Sequence, residues 1–113
     1  MDAVCDMDAL LADHIGAYNR QDVAAFVQTF APAAEIYEHP GQLVLRGRED
    51  IAAHYTALFA KIPGLTVTVK HRTHMENHIV DEEAVSLNGE AVEGGVAVYR
   101  IEGCLIQRVD QID

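Results

Sequence analysis

The sequence predicts an α+β fold with helices packed on one face of a curved, mostly antiparallel sheet. Three observations lead there. Up to residue 62, apolar residues recur mainly at steps of three and four. From Leu65 the period changes to two and is kept through four successive runs. Short turn signals separate those runs, Asn88-Gly89 being the strongest. With 113 residues, the chain is expected to form one domain, 1–113, and to bury roughly two-thirds of its unfolded surface.

The elements follow in order. Residues 6 to 18 read as a helix, with Leu10, Leu11, His14, Ile15 and Tyr18 on one face. Asp6 or Asp8 favours its start through the helix dipole. Asn19-Arg20-Gln21 breaks the pattern, and Asp22 is a suitable N-cap for a second helix, Val23 to Phe30, stopped by Pro32. Ala34 to Gly41 is a short extended run, and Leu43-Val44-Leu45 is a second. Arg46 to Asp50 opens a third helix with Ile51, Tyr55, Leu58, Phe59 and Ile62 inward, ended by Pro63-Gly64. Four strands complete the chain, from Leu65 to Met75, His78 to Leu87, Val92 to Ile101 and Cys104 to Gln111. In the first of them, Leu65, Val67, Val69, His71, Thr73 and Met75 are expected on one face. Val96, Val98, Leu105 and Val109 are too many apolar residues for a solvated sheet face, which suggests a homodimer through the sheet.

Composition narrows the function. Eight basic and eighteen acidic residues give a net charge of −10, which argues against nucleic acid and anionic membranes as partners. Protonating all six histidines would bring the charge to about −4, so the surface charge depends on pH. Cys5 and Cys104 fit no metal motif and are expected as free thiols of a reducing compartment. The acidic N-terminus lacks a signal pattern, no apolar run approaches the ~20 residues of a membrane span, and a cytoplasmic location is expected.

Four segments carry a family resemblance: Tyr18-Asn19-Arg20-Gln21-Asp22, Ala34-Glu35-Ile36-Tyr37-Glu38-His39-Pro40-Gly41, Gly47-Arg48-Glu49-Asp50-Ile51 with Tyr55 and Phe59, and Tyr99 to Ile106. Together they resemble the nuclear transport factor 2-like superfamily, in its SnoaL-like and ketosteroid-isomerase-like branch. The resemblance implies a cone-shaped barrel of a strongly curved sheet wrapped around three N-terminal-half helices. It also implies an apolar pocket at the open end and, commonly, a homodimer. Ketosteroid isomerases carry an aspartate base just before the strand-ending proline; His39 stands at that position here. A helix-1 tyrosine that donates to the oxyanion corresponds to His14, and a protonated aspartate on the penultimate strand corresponds to Ala97. The constellation keeps its places and changes its chemistry.

His39 is therefore the first candidate catalytic residue, because an imidazole near its ordinary pKa can take and return a proton at neutral pH. The plainer alternative is a ring bonded to a backbone carbonyl at the strand end. His14 and Tyr18, four residues apart, are candidate donors to a ligand oxygen, or else a core histidine and a tyrosine reaching the rim. Asp81 and Glu83 fall on the apolar face of their strand, where a carboxylate has a raised pKa unless paired. Asp81 is either a partner of Arg72 or His71, an orienting group for His39, or part of a solvated acidic run shifted by a bulge. Tyr37, Tyr55 and Tyr99 are further candidate ligand-binding residues. His71, His74 and His78 do not converge on a regular strand, and no cysteine or carboxylate stands at zinc spacing, so neither metal nor cofactor is expected. The pattern points to a pocket for a small apolar or aromatic molecule. His39 would serve there as base for isomerisation, cyclisation or hydrolysis of a carbonyl, hydroxyl or epoxide compound. A non-catalytic binding or sensing module is the alternative.

Overall fold

The computed structural model describes residues 5–113. The chain runs α1 (Met7–Arg20), α2 (Val23–Gln28), β1 (Phe30–Glu38), β2 (Gln42–Arg46), α3 (Gly47–Lys61), β3 (Leu65–Met75), β4 (His78–Leu87), β5 (Glu90–Glu102) and β6 (Leu105–Ile112). The predicted α+β class and element order are both found. Asp6 caps α1 by accepting from Ala9 N (3.0 Å), and Asp22 caps α2 by accepting from Ala25 N (3.1 Å). The second helix ends two residues earlier than expected, and β1 starts at Phe30, before Pro32. Thr29 Oγ1 donates to Phe26 O (2.7 Å) and Ile106 N donates to Thr29 O (2.9 Å), which hands the chain over to β6. Pro32 falls where the β1–β6 register is interrupted, so its missing N–H costs no ladder bond.

The six strands form one sheet in the order β2-β1-β6-β5-β4-β3. Only β1 and β6 are parallel among the paired strands. Three two-residue turns join β3 to β6, each with a positive-φ residue; at Asn88-Gly89 both residues are left-handed, as the turn signal requires. Asn19 ties the α1–α2 corner to the edge strand β3, donating to Val67 O (3.0 Å) and accepting from Val67 N (2.8 Å).

The register sorts the concave face into layers. Ile36, Val109, Tyr99 and Ile79 stand side by side across β1, β6, β5 and β4, all buried. They pack with Leu11 and Phe26 of α1 and α2 and with Ile51, Tyr55 and Phe59 of α3. Full burial of such side chains contributes about 1.5–3 kcal/mol each. In the next layer stand Gln111, Ala97, Asp81 and Arg72, and beyond it Gly95, Glu83 and Val69.

Two expectations about faces change. The β3–β4 register slips between Val69 and His71, so the second half of β3 is turned over. Arg72 faces inward in place of His71, and Met75 is 59% exposed. Of the four residues expected on an outer sheet face, Val109 lies in the core and Leu105 packs against it; Val96 and Val98 are half-buried on the convex side.

The two cysteines are not free. Cys5 and Cys104 form a disulfide, with Cα atoms 5.3 Å apart across 99 residues of sequence. The start of α1 passes beside the β5–β6 turn, a tertiary neighbourhood that cysteine spacing does not reveal. The bridge removes the free-thiol argument for a reducing compartment. Among the described residues, no helix is long and apolar enough to cross a membrane. Cys104→Ser is expected to lower the unfolding free energy by about 2–4 kcal/mol in urea titrations. Wild-type protein whose midpoint ignores dithiothreitol would deny the bridge.

Candidate functional site

A cavity of about 210 Å³ opens beyond the core, between α1, α3 and the β4–β5–β6 part of the sheet. Each element contributes through its own period. Tyr18 stands one turn beyond His14 on α1, and His54, Tyr55 and Leu58 share a face of α3. Glu83 follows Ile79 and Asp81 by alternation on β4. Gly95 is the cross-strand neighbour of Glu83, and its missing side chain leaves space there. A Cβ at Gly95 would lie 2.7 Å from Ile112 O, closer than real Cβ atoms come. Gln111, Glu93 and Asp113 complete the mouth. A second hollow of about 220 Å³ shares His54, Tyr55 and Gln111 with the first.

Glu83 is the titratable group best placed inside. It is half-buried, and Tyr99 donates its hydroxyl to Glu83 Oε2 (2.9 Å). Burial pushes its carboxyl above the usual range and nearby Asp81 adds to this, while the Tyr99 hydrogen bond and Arg72 oppose it. Burial raises the Tyr55 hydroxyl to about 12 and also raises those of Tyr18 and Tyr99 above the usual tyrosine range. These phenols therefore act as hydrogen-bond donors at neutral pH.

The remaining candidates are distributed otherwise than the sequence predicts. His39 is exposed; its backbone N donates to Gln111 O (2.8 Å), and its ring makes no hydrogen bond with the described residues. Glu38, not His39, stays in phase with buried Ile36, so the expected histidine base is not at a pocket floor. His14 is a core residue. It stacks on Phe26 (4.6 Å between ring centroids), and its Nδ1 lies 2.9 Å from Thr29 Oγ1. Because the Thr29 hydroxyl donates to Phe26 O, the network assigns the proton to His14 Nδ1. Burial lowers the His14 pKa to about 3, so the ring is neutral and unavailable to a ligand in the cavity.

Asp81 faces inward as alternation predicts, but it is fully buried in a two-bond pair with Arg72 (2.7 and 2.8 Å) and does not line the cavity. Arg72 also reaches Asp8 on α1 (3.1 Å), which His74 meets from the same strand (2.9 Å). Asp81 thus has the structural role of the expected alternatives. Tyr37 lies on the convex face, with the Arg108 guanidinium 3.7 Å over its ring and its hydroxyl donating to Glu35 (3.1 Å). Tyr18 and Tyr55 line the cavity, and Tyr99 supports it from behind through Glu83. The cavity is more polar than expected. No group of three or more potential metal ligands occurs among the described residues.

The model of the SnoaL-like domain family matches residues 11–109. The chain belongs to the SnoaL-like domain family. Solved structures agree on the fold. A cystatin-fold protein from Novosphingobium aromaticivorans is 28% identical, with a TM-score of 0.86, covering 98% of this chain and 100% of that one. An NTF2-like protein from Cytophaga hutchinsonii is 16% identical, with a TM-score of 0.77, covering 100% and 95%. A Catenulispora acidiphila protein with a ketosteroid-isomerase-like fold, solved in complex with trimethylamine, is 20% identical, with a TM-score of 0.77, covering 92% and 84%. The last two likenesses are of fold alone. No curated protein matches the chain.

Within this SnoaL-like domain, several lining residues lay outside the sequence-derived candidates for the site. Glu83 is legible by alternation from Ile79 and stands beside Asp81 in the sequence reading, which gives it no ligand-binding role. Gln111 is two residues beyond buried Val109, and His54 stands three after Ile51, so both had a usable phase signal. Glu93 and Asp113 had none.

The neutral burial of His14 makes a measurable contribution to acid sensitivity. In the unfolded chain the ring takes a proton below its ordinary 6.5; in the folded chain it resists to about 3. Stability from this group is therefore complete above pH 6.5 and falls as pH drops toward 3, by about 1 kcal/mol per pH unit. Urea unfolding at pH 7, 6 and 5 is expected to show this slope reduced in His14→Leu. An unchanged slope would contradict it.

Proposed function

We propose that the chain is a small-molecule-binding domain whose ligand enters the cavity at the open end and meets Glu83, Tyr18 and Tyr55. The observation that carries this reading is Glu83 itself: a half-buried carboxyl inside a concave site, hydrogen-bonded by a buried tyrosine. Leu58, Val85 and the tyrosine rings offer apolar contact, so a small compound with an apolar or aromatic body fits best.

A second reading is proton-transfer chemistry of the isomerase, cyclase or hydrolase kind, on a carbonyl, hydroxyl or epoxide compound. It is favoured by the raised Glu83 carboxyl, which brings a general acid–base group closer to neutral pH. Glu83 takes the role that the sequence suggests for His39, with Tyr18 or Tyr55 donating to developing negative charge on oxygen.

Fragment titration followed by backbone amide shifts is expected to perturb residues around Tyr18, Leu58, Val85 and Val96, and Leu58→Trp is expected to abolish the response in a folded protein. Shifts confined to other surfaces would reject the cavity. Proton transfer predicts deuterium uptake from solvent into a bound carbonyl fragment, lost in Glu83→Gln; no uptake with tight binding leaves a binder.

The homodimer belongs to the same reading. Val80, Val96, Val98 and Ile112 are half-buried on the convex face, where cross-strand register sets Val80 beside Val98 and Val96 beside Ile112. Native mass spectrometry is expected to find twice the 12.4 kDa chain mass, and Val98→Glu to return the monomer. A wild-type monomer at all concentrations would reject the dimer.

A further inference from the structure

We propose that the ligand of this cavity is a small organic cation, a protonated or quaternary amine on an apolar or aromatic body. The inference rests on the cavity reading above and adds the charge of its guest.

Four observations carry it. Glu83 is a half-buried carboxyl with no cation of its own among the described residues; its one hydrogen-bond partner is the neutral Tyr99 hydroxyl. Arg72, on the adjacent strand, is already engaged by both oxygens of Asp81 and by Asp8, so it has little left to offer Glu83. Among the described residues, no lysine or arginine lines the cavity, whereas Glu93 and Asp113 at its mouth add two more carboxylates. Tyr18 and Tyr55 supply aromatic walls, with ring centroids 6.1 Å apart and planes at 72°.

A desolvated carboxylate is costly without a positive partner, and Glu83 accordingly leans toward holding a proton. A bound amine would give it that partner where water competes little, and aromatic faces attract the same charge. An anionic guest would face Glu83, Glu93 and Asp113 with no lysine or arginine among the described lining residues to offset them. A neutral guest would keep the tyrosine and Leu58 contacts but leave the Glu83 carboxyl as it is. His54 also lines the cavity, and the test is run at pH 8.

The experiment compares benzylammonium, benzyl alcohol and benzoate, which share one ring, by amide-shift titration of the whole chain. Benzylammonium is expected to bind about tenfold tighter than benzyl alcohol, with benzoate weakest. The preference is expected to fall below about threefold in Glu83→Gln, which keeps an acceptor for Tyr99, and to shrink in Glu93→Gln. It should survive in Glu90→Gln, an exposed acid outside the cavity, which separates site charge from the chain's overall −10. Equal or tighter binding of benzyl alcohol or benzoate at the same lining residues would overturn the charge assignment and leave the cavity reading intact. A preference retained in Glu83→Gln would overturn it as well. If none of the three probes moves the lining residues, both readings fail.

Discussion

The pair between Arg72 and Asp81 is the constraint from which the rest of the concave face follows. Asp81 is wholly buried, and Arg72 meets it there with two short bonds. Leaving one partner of such a pair alone in the interior costs about 3–5 kcal/mol. That need sets the register of β3 on β4. The slip between Val69 and His71 turns Arg72 inward, and once inward it also reaches Asp8 at the start of α1. Arg72 thus joins the hairpin to the first helix through a second carboxylate.

The same pair shapes the site by what it uses up. Along β4, Asp81 and Glu83 are successive inward carboxylates, and the arginine on the facing strand is held by the first. Glu83 is left with a tyrosine hydroxyl and an opening toward solvent. Gly95 opposite it keeps that opening from being filled by a side chain, and the tight approach to Ile112 holds the position to glycine. The Glu83 carboxyl therefore sits one layer further out than Ala97, which like His14 is packed into the core.

The start of α1 is tied in a comparable way. Asp6 caps α1, Asp8 accepts from Arg72 and from His74 of β3, and Cys5 is bonded to Cys104 in the last turn. Contacts spanning 64, 66 and 99 residues of sequence converge on one helical start. Of these, the covalent Cys5–Cys104 bond also restricts the unfolded chain, whereas the two contacts to Asp8 form only as the chain closes long loops on folding.

Much was legible in the sequence for local reasons. Periodicity located the helices and strands, Asp22 and Asn88-Gly89 marked a cap and a turn, and four motifs pointed to the SnoaL-like family. Alternation brought Asp81 and Glu83 to the inner face, and helical phase brought Tyr18 and Tyr55 to the cavity. These properties depend on residues a few positions apart, which the chain order itself specifies. Tertiary structure alone decided the others: the bulge that exchanged His71 for Arg72, the exposure of His39 past the end of β1, the burial of His14 against Phe26 and Thr29, and the bond between Cys5 and Cys104. Each depends on which strand or helix lies alongside, and proximity between distant residues is fixed by the whole core closing together rather than by any spacing along the chain.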